Sequence, residues 1–304
     1  MTTDIHLSAF GEALGEAHPL GSSPDIGPRD IVDELCRDGH RDFRLSSREP
    51  WELASDSARH TLAQTPGRPD LVVYCTNTLR DGDDRTSGPA TFLEALGLVS
   101  VQLIGVGMAG CGNVGAGLRV ATAMLASGAA TNALLVTTDV APPGWRLVRG
   151  DIGVFSDGAA SCAVSLIPTP GSLRLCGIDS GADWRMYTTI PGRGELAATR
   201  AMVTGLRRAI GPVLRHGATE PTRITHLVTN NYRSVMLKLF SDTARVDPAR
   251  VYAPTLADIA HCHSADTLIN LSRLLPALSG DSLVLLLSTG THSWTCALLE
   301  PSAV

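Results

Sequence analysis

A lone thiol between two glycines is the residue of this chain best suited to nucleophilic chemistry. Cys111 lies in the run 106–113 (VGMAGCGN), directly ahead of apolar residues that recur at helical spacing from Val114. The apolar, β-branched segment 99–104 before it predicts a strand. A thiol at a strand-to-helix junction lies near the positive end of the helix dipole, which favours the thiolate. Cys111 is therefore a candidate nucleophile, and burial as a small hydrophobic residue is the alternative.

The dense polar cluster of the second half, 258–266 (DIAHCHSAD), contains the candidate bases. A cysteine nucleophile requires a base within hydrogen-bond reach and a group that orients this base. His261 precedes a predicted helix with Ser264 as its expected N-cap, and Asp266, five residues on, can fold back to the imidazole. His263 is the rival base, and a solvated, capped loop is the alternative without catalysis. Neighbouring histidines without a distant ligand pair are a weak zinc signature, so we expect no metal.

Two further segments bear on the same chemistry. Gly290, in the run 288–294 (STGTHSW), follows a predicted buried strand and is placed to present its amide to a ligand. Beside the amide of Cys111 it would complete an oxyanion hole for a thioester carbonyl. The segment 155–160 (FSDGAA) has the composition of a tight turn, for which a structural role is favoured over a catalytic one.

The composition narrows the class of protein. The chain has 304 residues, 44% of them hydrophobic, with a formal charge of -5. This length and apolar content support a large core in two packed halves, and the acidic balance argues against a nucleic-acid partner. No apolar stretch is long enough to span a membrane, and the first residues lack the regions of a signal peptide. Seven cysteines without a CxxC pair indicate reduced thiols, so we expect a cytoplasmic protein without a disulfide framework.

The elements that must position these residues alternate along the chain. Strands that alternate with helices indicate an α/β protein with a mostly parallel sheet covered on both faces. The stretch 168–171 (PTPG) divides the chain into an N-terminal half, 1–167, with the nucleophile, and a C-terminal half, 168–304, with the base and oxyanion residues. The predicted strands are 71–75, 133–137, 161–166, 173–178, 225–229 and 282–288, and the predicted helices start near Thr91 and Asn113 and run over 195–215, 232–240 and 266–275.

Five motifs in fixed order resemble the ketosynthase III branch of the thiolase superfamily. They are the Cys111 segment, the strand entry 127–136, the Arg149-Gly150 pair, the turn 155–159 and the terminal motif 288–294. The resemblance implies a five-layered αβαβα fold built from two pseudo-symmetric halves, and a homodimer. It also implies an acyl group carried on Cys111 after delivery by coenzyme A or an acyl carrier protein, with no permanently bound cofactor.

The resemblance also assigns individual residues. Arg149 matches the family arginine that contacts the adenine end of coenzyme A, and the Gly290 amide matches the second oxyanion donor. The condensing enzymes use a histidine and an asparagine to decarboxylate a malonyl thioester, whereas this chain has Asn230 at the first position and Cys262 nearest the second. We therefore expect Asn230 to hydrogen-bond the acyl carbonyl or the pantetheine arm.

These departures shift the resemblance to the ketosynthase III-like acyltransferases of natural-product pathways. Those enzymes pair a cysteine or serine nucleophile with a His-x4-Asp arrangement, which His261 and Asp266 match. The resemblance implies ping-pong transfer of an acyl group from Cys111 to a hydroxyl, an amine or a carrier thiol. A condensing enzyme with relocated decarboxylation residues and a catalytically silent ketosynthase partner are the alternatives, and an intact Cys111 argues against the silent partner.

Overall fold

The computed structural model describes residues 4–78, 87–186 and 195–303. Its strands are β1 His6–Leu14, β2 Glu16–Pro19, β3 Asp42–Leu45, β4 Leu71–Cys75, β5 Gln102–Val106, β6 Asn132–Asp139, β7 Gly158–Ser165, β8 Leu173–Ala182, β9 His226–Thr229, β10 Val251–Tyr252, β11 Val284–Thr289 and β12 Ser293–Pro301. Its helices are α1 Arg29–Arg37, α2 Pro50–Gln64, α3 Ser87–Ala95, α4 Asn113–Ala126, α5 Glu195–His216, α6 Ser234–Ala244, α7 Leu256–Ile259 and α8 Ala265–Leu274.

The large sheet repeats one strand order in the two parts of the chain. Its order is β10-β9-β11-β12-β8-β1-β7-β6-β4-β5. Read outward from the centre, β8, β12, β11, β9 and β10 therefore follow the same order as β1, β7, β6, β4 and β5. The two sets meet at the β1–β8 pair, where His6 lies opposite Arg174. The α/β fold with two pseudo-symmetric halves, which the resemblance implied, is therefore present.

The expectation of a mostly parallel sheet is wrong for its centre. The pairs β4–β5, β4–β6, β9–β10 and β9–β11 are parallel, and the pairs from β6 through β7, β1, β8 and β12 to β11 are antiparallel. The difference arises because β1, which the sequence analysis missed, pairs with β7, and because β11 and β12 form a hairpin. A bulge between Ser8 and Gly11, with Ala9 at φ +52°, interrupts the alternation of β1 and hides it from sequence patterns.

Helices and sheet halves form five layers. α2 covers β1, β6 and β7 from outside and packs on α3, and α5 covers β8 and β12 and packs on α6. α4 contacts β4 and β6 of one half and β11 and β12 of the other, and α8 likewise contacts β1, β7 and β9. These two helices therefore form the middle layer, and their buried faces join one apolar core with residues of both halves.

The middle layer explains why α4 is built from small residues. At Gly115, a Cβ would lie 2.6 Å from the Thr295 Cβ, and at Gly117 it would clash with the Cys75 sulfur. A larger side chain would push α4 away from β11 and β12 at Gly115, and away from β4 and β6 at Gly117. The small residues therefore let α4 fit between the sheets, which places the turn before it at the centre of the molecule.

Some predicted ends move in the structure. α6 begins at Ser234 rather than at position 232, and β5 begins at Gln102. The expected Ser264 cap is absent, because the Ser264 backbone is itself helical and its hydroxyl lies 3.4 Å from the Gly110 carbonyl. Within the described ranges, no helix combines the length and apolar character required to cross a bilayer.

Candidate active site

Cys111 lies in a single helical turn directly ahead of α4. The residue is 8% exposed, and Gly110 before it has a φ of +59°, a conformation that glycine adopts at little cost. Asn113 fixes the turn, since its Oδ1 accepts the Ala109 N–H at 2.8 Å and its Nδ2 donates to the Thr76 carbonyl at 2.8 Å. The predicted strand-to-helix junction is therefore present, and β5 and α4 hold the sulfur near the positive end of the helix dipole.

His261 and Asp266 meet in the interior, as their spacing predicted. His261 Nδ1 lies 2.5 Å from Asp266 Oδ2, and neither side chain is exposed to solvent. Two backbone N–H groups hold the carboxylate: that of Cys262 donates to Oδ1 at 2.7 Å, and that of Asn231 donates to Oδ2 at 2.8 Å. Asp266 is thus held in place as the acceptor that orients the imidazole.

The other side of the His261 ring faces the nucleophile. Burial opposes protonation of this imidazole, but negative charge on Cys111 and on Asp266 more than offsets it and raises the pKa of His261 to about 10. Nε2 makes no well-aligned hydrogen bond to the described part of the chain, yet it is near enough to Cys111 for this influence. Catalytic hydrogen bonds are often long in the absence of substrate. The imidazole is thus oriented by Asp266 on one side and has Cys111 within reach on the other.

His263, the rival base, lies in a different environment. Its ring stacks on Phe155 with centroids 4.2 Å apart and an interplanar angle of 9°. Burial, and then the charges of His261 and Arg146, hold the pKa of His263 well below its usual range. Neither ring nitrogen has a hydrogen-bond partner among the described residues, whereas His261 has a carboxylate at 2.5 Å. The geometry of an oriented base is present at His261 and not at His263.

The structure does not support the substrate-binding role expected of Asn230. Its Nδ2 donates to the carbonyls of Cys111 at 3.2 Å and His263 at 3.0 Å. Its Oδ1 accepts the N–H of Thr289 at 2.8 Å and the hydroxyl of that residue at 3.1 Å. Two donor hydrogens and two acceptor sites are thereby used, so the amide has no remaining capacity for an acyl carbonyl. Asn230 instead joins the nucleophile turn, the His263 loop and the end of β11.

The Gly290 amide is likewise engaged within the protein. Its N–H donates to the Ser293 carbonyl at 2.7 Å and closes the β11–β12 hairpin, so this N–H is already used and is not free for an oxyanion. The position has another use: an added Cβ would clash with the Ala109 carbonyl. Gly290 is therefore small because the hairpin packs directly on the turn that carries Cys111.

Comparisons with solved structures identify this architecture. ChlB3, described as an acyltransferase, matches with a TM-score of 0.83 at 18% identity over 98% of both chains. The 3-oxoacyl-(acyl carrier protein) synthase III FabH from Pseudomonas aeruginosa PAO1 matches with a TM-score of 0.80 at 22% identity over 99% of both chains. A cysteine-to-serine variant of OleA from Xanthomonas campestris matches with a TM-score of 0.80 at 15% identity over 99% of this chain and 100% of that one.

The chain has the thiolase fold. The structure thus shares its fold with members of the family that the five sequence motifs resemble. No protein-family profile matches the sequence, and no curated protein does. At 15–22% identity the likeness concerns the fold, so the roles of individual residues rest on the geometry of this thiolase-fold protein.

Arg149 is the remaining expected site residue, and it lies at the surface in the loop between β6 and β7. Asp157, in the turn 155–160, accepts hydrogen bonds from Nη1 and Nη2 of buried Arg146 at 2.6 and 2.8 Å. It also accepts the backbone N–H groups of Ser46 and Ala141. This turn is structural, as expected. Across the described ranges, no group of three or more His, Cys, Asp or Glu side chains is arranged to hold a metal ion.

Asn231 is a site residue that the sequence analysis missed. Its backbone N–H holds Asp266, and its Nδ2 donates to the Thr255 hydroxyl and the Ala260 carbonyl, each at 2.8 Å. These bonds fix the segment that leads to His261. The signal was a pair of asparagines directly after β9, because functional sites commonly lie at the carboxyl ends of parallel strands.

Proposed function

We propose that this protein is an acyltransferase that works by a ping-pong mechanism through an acyl-Cys111 thioester. The observation that carries the proposal is the buried line of three groups, in which Asp266 holds His261 at 2.5 Å and the ring faces Cys111. A nucleophile, a base and an orienting carboxylate are the parts that covalent acyl transfer requires. The acceptor is a hydroxyl, an amine or a carrier thiol.

In the first half-reaction the Cys111 thiolate attacks the donor thioester carbonyl. The carbon–sulfur bond to Cys111 forms, a tetrahedral oxyanion appears, and the donor carbon–sulfur bond then breaks. The leaving thiolate takes the proton of the His261 imidazolium. The Cys111 N–H, at the positive end of the α4 dipole, is the oxyanion donor in this proposal, because the Gly290 N–H is bound to Ser293.

Acylation itself prepares His261 for the second half-reaction. The acylated sulfur carries no charge, so one of the two groups that raise the pKa of His261 is lost. The ring, now neutral with its hydrogen held on Nδ1 by Asp266, takes the proton of the acceptor as that group attacks the thioester. Collapse of the second tetrahedral species releases the product and regenerates the Cys111 thiolate beside the imidazolium.

Coenzyme A or a phosphopantetheine-linked carrier is the donor that we propose. OleA, which shares the fold, has been solved as a cysteine-to-serine variant with lauroyl-CoA. Exposed Arg149 is the expected contact for the adenine end of such a donor. We place the reaction in natural-product biosynthesis, including polyketide pathways, on the His-x4-Asp resemblance alone.

A second copy of the chain completes the proposed assembly. β5 ends the large sheet, and its outer edge pairs with no other described strand. The side chains of Leu103, Ile104 and Val106 on this strand are half-buried, and Met108 just beyond it is 74% exposed. An apolar edge strand invites pairing with another chain, so we propose that the homodimer forms there.

Carbon–carbon bond formation is the weaker reading of this site. Condensation would require groups that stabilise the enolate left by loss of carbon dioxide. Asn230 is fully hydrogen-bonded, and burial together with nearby carboxylates raises the pKa of the Cys262 thiol well above its usual range. A neutral thiol is a weak donor. A silent partner subunit is disfavoured because it would not need the assembled His261–Asp266 pair.

Intact-protein mass spectrometry tests the proposal. Incubation with acetyl-, hexanoyl- and lauroyl-coenzyme A, and with the same groups on an acyl carrier protein, should add one acyl mass to Cys111. Cys111→Ala is the control and should gain none. Acyl groups on other cysteines, or equal labelling of the variant, would count against the mechanism.

A further inference from the structure

Tyr232 is a buried phenol whose ring lies against His261. The side chain is 5% exposed, and its ring lies 4.6 Å from the His261 ring, measured between centroids. A buried phenol requires a partner for its O–H, and here the hydroxyl donates to the Thr289 carbonyl at 3.1 Å. Tyr232 is thus fixed at both ends, by the imidazole on its face and by β11 at its tip.

The Thr289 carbonyl that accepts this hydroxyl lies close to the segment of the nucleophile. Gly290, the next residue, packs directly on the turn that carries Cys111. Burial raises the pKa of Tyr232 well above its usual range, and negative charge on Cys111 raises it further. The phenol therefore keeps its proton at neutral pH and is available as a donor to the sulfur.

We propose that Tyr232 is a further catalytic residue, whose hydroxyl hydrogen-bonds the Cys111 sulfur whenever that sulfur is negatively charged. The hydrogen is then shared between the Thr289 carbonyl and the thiolate, and it stays bonded to the phenol oxygen throughout. His261 moves the proton in each half-reaction, whereas Tyr232 stabilises charge alone. Its part in acyl transfer rests on the function proposed above, because Cys111 is charged as it attacks and again as it leaves.

The pH dependence of Cys111 alkylation by iodoacetamide tests the proposal without any acyl donor. Alkylation joins the thiolate sulfur to the carbon and releases iodide, so its rate reports the thiolate. Peptide mass mapping reads Cys111 separately from exposed Cys36, which serves as an internal control in every sample. Tyr232→Phe keeps the ring and removes the donor. Tyr74→Phe is the matched control, because Tyr74 is equally buried but packs on Phe92.

Tyr232→Phe should raise the midpoint of the Cys111 profile by about one pH unit, which makes alkylation below the midpoint about tenfold slower. Cys36 and the Tyr74→Phe protein should be unchanged. A Tyr232→Phe profile equal to the wild-type profile would overturn the proposal. If the variant fails to fold, 3-fluorotyrosine at position 232 replaces it: the more acidic phenol should lower the midpoint, and an unmoved midpoint is the contrary result.

The two proposals fail separately in this design. An unshifted alkylation profile in a protein that still forms acyl-Cys111 would remove Tyr232 from the mechanism and leave the acyltransferase. A shifted profile in a protein that accepts no acyl group would support the hydrogen bond from Tyr232 and contradict the proposed acyltransferase function.

Discussion

The substitution Asp266→Asn isolates the part that the carboxylate plays at His261. The imidazole N–H at 2.5 Å and the N–H groups of Asn231 and Cys262 all point at the two carboxylate oxygens. An asparagine has one oxygen and one NH₂ group, so whichever way it turns, a donor faces a donor. If the NH₂ group faces the ring, the hydrogen of His261 moves to Nε2, and Nε2 then has no lone pair for the acceptor proton.

The expected size of the effect follows from these contacts. A hydrogen bond to a charged group contributes about 1.5–3 kcal/mol, so its loss should lower the pKa of His261 by about one to two units. General-base assistance typically accounts for a factor of about 100 to 10,000, and the release of the acyl group should slow by a factor in that range. Because the two residues act as a unit, the double variant with His261→Ala should lose little more than His261→Ala alone.

Rapid-quench measurement of acyl-Cys111 formation and decay is the assay. Asp258→Asn is the matched control, since this aspartate lies in the same segment with its side chain 53% exposed, and it should leave both rates unchanged. Near-ultraviolet circular dichroism checks that each variant is folded. Rates for Asp266→Asn within threefold of wild type, or a fully active His261→Ala protein beside an inactive His263→Ala protein, would refute the assignment of the base.

Three further predictions follow from other sites. With malonyl-coenzyme A the protein should release no stoichiometric carbon dioxide with a lengthened acyl product, and installing the family histidine as Asn230→His should not create this activity; a radiometric assay reads both. Asn230→Ala should lower the free energy of unfolding by about 2–4 kcal/mol in urea titrations, because buried partners on Cys111 and Thr289 lose their hydrogen bonds. Burial raises the pKa of Asp139 to about 6, so between about pH 4 and 6 the folded protein holds a proton that the unfolded chain releases, and stability falls as the pH rises. Asp139→Asn should flatten that slope and gain on the order of 3 kcal/mol relative to wild type at pH 7, and an unchanged slope would contradict the argument.

The sequence predicts the parts of this protein that depend on local pattern. The strand Leu71–Cys75 has its predicted bounds, and the predicted helix after Cys111 is present. Both could be predicted because the spacing of apolar residues indicates the buried face of an element. The contact between His261 and Asp266 follows from a short spacing around a helix start. The catalytic roles of these residues remain predictions.

Long-range pairing explains what the sequence did not reveal. The engagement of Asn230 depends on a carbonyl 119 residues away, at Cys111, and no local pattern records such a contact. The occupied amide of Gly290 depends on how the β11–β12 hairpin closes, which the strand pattern leaves open. The antiparallel centre of the sheet depends on β1, whose bulge removes the alternation that marks a strand.

Isotope exchange between acyl-coenzyme A and labelled free coenzyme A tests the central claim most directly. A ping-pong enzyme that carries its acyl group on Cys111 must return this group to free coenzyme A, so label should enter the acyl-coenzyme A pool in the absence of any acceptor. The exchange should be lost in Cys111→Ala and strongly slowed in His261→Ala. Exchange that persists without Cys111, or its absence across acetyl to lauroyl donors on both coenzyme A and a carrier protein, would contradict the acyl-cysteine mechanism.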